Sequence, residues 1–145
     1  MDELWDILEK LAAVLEEAVP LEETKLQAIR EHHLTLLDDC MTREQALMMK
    51  IRGLDRDREN ALKKQGMEGV GLRQIVERLP REEQADALKT AERFRHAVND
   101  FQTLNEEAMK LAQVYLHRIE GAKQSIYRKD NSEGREYARM TDQRV

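Results

Sequence analysis

A chain of 145 residues carrying 37% charged and only 4% aromatic side chains fits one domain, but it lacks the large apolar groups that a thick globular core needs. Its net charge of −5 disfavours a nucleic-acid partner, which wants a basic face to neutralise phosphate. Glu, Lys, Arg, Leu, Ala and Gln dominate while valine and isoleucine are thin, which is the profile of long helices and not of a sheet.

The single cysteine, Cys40, allows no disulfide within the chain, and this agrees with a reducing cytoplasm. The acidic start Met-Asp-Glu-Leu-Trp-Asp is unlike a secretory signal, and no stretch is apolar for long enough to insert into a bilayer. The fold expected is all-α: an elongated antiparallel hairpin or three-helix coiled-coil bundle.

The first helix is expected from Asp2 to about Ala18, with Leu4, Ile7, Leu8, Leu11, Val14, Leu15 and Ala18 on one face and Trp5, Ala12 and Val19 widening it. Pro20 should end it, because proline breaks the helical ladder and restrains the residue before it. A second helix is expected from Leu21 to Lys64. One set repeats at sevens, namely Leu26, His33, Cys40, Leu47, Leu54 and Ala61, while Glu44 and Arg58 interrupt the other set. Gly53 allows a bend, and the alternating charges of Asp55 to Lys64 read as a solvated face.

Gly66, Gly69 and Gly71 mark a loop in which the chain reverses. Leu72, Ile75, Val76 and Leu79 form a short helix ended by Pro80. A last helix is then expected from Arg81 to Tyr127, about 70 Å long. Its stripe of Ala87, Ala91, Phe94, Val98, Phe101, Asn105, Ala108, Ala112, Tyr115, Ile119, Ala122 and Ile126 alternates in steps of four and three. The short reversal predicts that the second and last helices lie antiparallel, Leu26 near Ala122 and Ala61 near Ala87, with the first helix folded over the open end. Residues 128–145 mix charges with Asn, Ser and Gly and are expected as a disordered tail on a helical domain of residues 1–127.

No catalytic or metal constellation emerges. His32, His33 and Cys40 lack the fourth ligand that zinc wants. Glu92 and His96 are spaced by four residues and not by the three of a di-iron pair. The glycines of residues 66–71 follow a helix and no Gly-Lys-Ser/Thr comes after them. Cys40 has no activating cluster, and Glu106 and Glu107 belong to a solvated face. No cofactor is expected. Asn105, alone and polar in an apolar seam, is expected to fix register and partner number. Met41, Met48, Met49, Met67 and Met109 at helical spacing read as core, with adaptable binding as the secondary reading.

Several of these residues together resemble the flagellar export chaperones of the FlgN type. The features are a long helix ending in Arg58, Ala61, Leu62 and then Gly66; Leu104-Asn105 followed by an apolar-rich run to Ile119; and Tyr127 heading a stretch that reaches Gly134. Ala108 stands where many members carry a second asparagine, and Arg128 stands where a glycine often follows the tyrosine. The resemblance implies a cytoplasmic, non-enzymatic helper of type III flagellar secretion. Such a helper binds C-terminal helical segments of the hook-filament junction proteins FlgK and FlgL, keeps them from assembling prematurely and delivers them to the export gate.

The expected client site is the end of the last helix, where Leu111, Val114, Tyr115, Leu116, Ile119, Ala122 and Ile126 carry more apolar surface than one partner helix needs. The resemblance implies an export-gate role for Tyr127. The competing expectation is a structural coiled coil that acts through homodimerisation.

Overall fold

The computed structural model describes residues 2–118. They form α1 (Asp2–Arg30), α2 (Leu34–Lys64), α3 (Leu72–Glu77) and α4 (Arg81–Arg118), with no strand among the described residues. The expected tail lies outside them, as does the predicted stretch of the last helix beyond Arg118.

Helix α1 is the central element: it packs along both α2 and α4, while α3 packs on α4. Cross-helix contacts give the directions. Glu9 meets Thr90, Glu16 meets Arg93, Lys25 meets Asn105 and Arg30 meets Glu107, so α1 and α4 run parallel. Glu3 meets Lys64 and Lys25 meets Glu44, so α1 and α2 run antiparallel. Helix α2 is therefore antiparallel to α4, as expected from the reversal, but the first helix does not merely cover the open end. It forms a full-length partner of both.

The reason is that Pro20 does not end α1, which runs through it to Arg30. A proline in a helix interior costs about 3 kcal/mol. Here the seam keeps its period across it, as Leu15, Ala18, Glu22, Lys25, Leu26 and Ile29 are all buried. Pro20 itself is exposed, and so is Glu16, whose carbonyl loses its usual N–H partner. Packing on two neighbouring helices outweighs the local penalty.

The true end of α1 is a Schellman arrangement in which His33 N–H donates to the Ala28 carbonyl at 2.9 Å and His32 N–H to that of Ile29 at 3.2 Å. His32 takes the left-handed position, with φ of 53°. His33, expected in the seam, is exposed and caps α2 instead, its Nδ1 accepting from the Leu36 amide at 3.2 Å. The same motif ends α2, with Met67 N–H donating to Leu62 and Gly66 N–H to Lys63, and there glycine supplies the left-handed residue at φ 66°.

Helix α2 passes through Gly53 without interruption. Its buried face is Leu37, Cys40, Met41, Glu44, Met48, Ile51, Asp55, Arg58, Ala61 and Leu62. Glu44 and Arg58 thus lie in the seam rather than interrupting it, and Asp55 is not part of a solvated face. Inside the seam Arg58 Nε donates to Asp55 Oδ1 at 2.9 Å. The loop of residues 65–71, the short α3 and the start of α4 after Pro80 form as expected. So does the stripe of α4, buried at every position from Ala87 to Tyr115.

Candidate functional site

The apolar core is in two parts. The larger joins Leu4 to Ala18 of α1, Met48 to Leu62 of α2, Ile75 of α3 and Phe94, Ala97, Val98 and Phe101 of α4. The smaller joins Leu26, Ala28 and Ile29 of α1, Leu37 and Met41 of α2, and Ala108, Ala112 and Tyr115 of α4. Between them, at one level of the bundle, each long helix places polar groups in its own seam: Glu22 and Lys25, Glu44, and Asn105.

These four side chains meet. Lys25 Nζ lies 2.8 Å from Glu44 Oε2 and 3.2 Å from Glu22 Oε2, and donates to Asn105 Oδ1 at 3.3 Å. Lys25 and Glu22 are wholly buried, and Glu44 and Asn105 are 1% exposed. Two carboxylates beside one ammonium leave an excess negative charge away from water. Desolvation first, and then the hydrogen bond with Glu44, push the Glu22 carboxyl up to about 9. Ionised, Glu22 would have only the Lys25 ammonium beside Oε2, and its Oε1 and Glu44 Oε1 would lack a hydrogen-bond donor. A proton on Glu22 supplies a donor, and the layer then holds one cation and one anion. Burial also raises the Cys40 thiol, and Asp39 beside it acts in the same sense.

Of the expected client residues, Leu111 and Tyr115 belong to the smaller core. Leu111 is half-buried against it, while Val114 is 53% exposed on the outer side of α4. Tyr115 is buried, and the His32 ring stacks on it with centroids 4.5 Å apart and 25° between planes. The turn between α1 and α2 is thereby fastened to α4. A left-handed non-glycine residue costs about 1–2 kcal/mol, and an aromatic pair returns about 0.5–1.5 kcal/mol. The side chain of Leu116, together with Ile119, Ala122, Ile126 and Tyr127, lies outside the described residues.

Asn105 was legible as a polar seam residue, and the structure gives its partners. Glu22 and Lys25 were not singled out, and Glu44 was read as an interruption of the seam in which it lies. The signal that could have found them is the same three-and-four spacing, continued through charged residues and across Pro20.

Among the described residues no group of three His, Cys, Asp or Glu side chains could hold a metal ion. No described helix is long and apolar enough to cross a membrane. The chain matches the family described as FlgN protein over residues 1–139. Comparison with curated proteins gives no match, and neither does comparison with solved structures.

Proposed function

The chain belongs to the FlgN protein family, a family of flagellar export chaperones, and from that premise we propose that its clients are hook-filament junction proteins of the FlgK and FlgL type. It binds their C-terminal helical segments in the cytoplasm, keeps them from assembling prematurely and delivers them to the export gate, with Tyr127 as a gate contact. It has no catalytic activity and takes no cofactor.

The observation that carries this reading is the apolar excess at the end of α4. Its stripe is already buried against the neighbouring helices, yet Leu111 stays partly uncovered and Val114 stands 53% exposed beside it. An amphipathic client helix recognises such a surface by laying its own apolar face along it. Leu111, Val114, Tyr115, Leu116, Ile119, Ala122 and Ile126 are assigned to that surface.

The test is binding of a fluorescent junction-protein C-terminal peptide to the full chain and to Val114→Asp. We expect at least tenfold weaker binding with the helical circular-dichroism signal unchanged. Equal affinity would place the client elsewhere. Light scattering of the chain alone reads the rival function: a dimer whose formation Val114→Asp abolishes would assign this surface to self-association.

A further inference from the structure

We infer that the bundle opens at the polar layer: the end built from residues 21–41 and 105–115 comes apart while the larger core stays packed. Three independent features converge on that level.

First, the layer divides the cores. Glu22, Lys25, Glu44 and Asn105 separate Ala18, Met48 and Phe101 on one side from Leu26, Met41 and Ala108 on the other. A buried ionic group gains little over its desolvation cost, so it joins the two parts weakly.

Second, the two cores are unequal. The smaller relies on Ala28, Ala108 and Ala112 around a few large side chains. The larger holds both phenylalanines, Phe94 and Phe101, with Leu4, Leu8, Leu11, Leu15 and Ile51 fully enclosed. Apolar stabilisation follows buried area, so the smaller end separates first.

Third, α1 is weakest just before the layer. Pro20 lacks the N–H that would bond the Glu16 carbonyl, and proline is the commonest cause of helix kinking. At the far end of the same segment His32 sits in the left-handed conformation, held against Tyr115. The ion pair that closes this end, Arg30 with Glu107, is 3.5 Å long and half exposed. On the larger-core side of the layer Arg93 grips Glu16, a pair about as exposed, with two hydrogen bonds of 2.6 and 3.2 Å.

Opening bares Ala108, Ala112 and Tyr115, which continue the surface of Leu111 and Val114. That consequence rests on the client reading above, whereas the opening itself does not.

The chain carries its own probe. Cys40 is the single cysteine, it is buried, and it lies on the part of α2 that opens. Its labelling by a thiol reagent is measured in urea below the unfolding transition, without client. The expected rate rises only shallowly with urea, at less than half the slope of global unfolding, because a minority of the surface is exposed. Pro20→Ala should slow labelling about tenfold at zero urea. Phe101→Leu, in the larger core, should lower global stability and leave zero-urea labelling within twofold.

Labelling that follows the global slope from zero urea onward overturns the inference. So does acceleration by Phe101→Leu equal to its effect on global unfolding. A shallow slope combined with unchanged client binding by Val114→Asp keeps the opening and removes the client reading.

Discussion

Lys25 on α1 and Glu44 on α2 form an ion pair of 2.8 Å in the middle of the bundle, where neither side chain reaches water. Asn105 on α4 accepts from the same ammonium, so one cation ties three helices together at one level. Sliding any one of them by a turn would leave a buried charge alone, and that penalty sets the register.

Lys25→Met should therefore cost about 3–5 kcal/mol, because Glu44 is left buried without its cation. Replacing Glu22, Lys25 and Glu44 together by leucine and methionine should recover most of that loss, since apolar side chains of similar volume need no partner. Urea unfolding of the two variants measures the difference. A single Lys25→Met variant as stable as the natural chain would show that the pair contributes nothing to register.

Glu22 gives the fold a pH dependence of defined sign. Its carboxyl is raised to about 9 from an ordinary 4.5, first by burial and then by its bond with Glu44. Between those pH values the folded chain holds a proton that the unfolded chain has released, so stability falls as pH rises through the window. The groups facing it are Lys25 on its own helix, Glu44 and Cys40 on α2, and Asn105 on α4. Glu22→Gln keeps a donor for Glu44 and removes the titration. It should flatten the pH profile and stabilise the chain at pH 8 by on the order of 3 kcal/mol. Parallel profiles for the two proteins between pH 5 and 9 would contradict this.

Phe101 is wholly buried in the larger core, and Val114 is more than half exposed. Phe101→Asp buries an unpaired charge and should lose several kcal/mol, about 4 or more. Val114→Asp should change stability by no more than about 0.5 kcal/mol. Thermal unfolding followed by circular dichroism compares the two. A stable, fully helical Phe101→Asp protein would mean that the α4 stripe is not core.

His32 is held in the left-handed region by the turn and against Tyr115 by its ring. His32→Ala keeps the backbone cost and loses the stack, so it should be about 1 kcal/mol less stable than the natural chain. His32→Gly removes the backbone cost and should exceed the alanine variant by about 1 kcal/mol, a difference visible as a shift in melting temperature. Equal stability of the two variants would argue against a left-handed residue 32.

Much of this architecture follows from local sequence. The α4 stripe, Asn105 within it, the glycine loop after α2 and the short α3 before Pro80 are each specified by spacing and turn chemistry within a few residues. Tertiary structure decided the rest. Pro20 is a helix breaker by local rules, yet α1 continues through it because α2 and α4 hold it from both sides. That continuation moves the turn to residues 31–33 and makes α1, not α2, the full-length partner of α4. Glu22, Lys25 and Glu44 are surface residues by composition. They occupy the seam because Lys25 meets the Glu44 carboxylate on the neighbouring helix, while burial favours the uncharged form of Glu22 beside them. The uncovered apolar residues near the end of α4, Leu111 and Val114, were legible from spacing along that helix. That Tyr115 beside them is buried under His32 depends on where a turn more than eighty residues earlier in the chain comes to rest, which periodicity along a single helix does not encode.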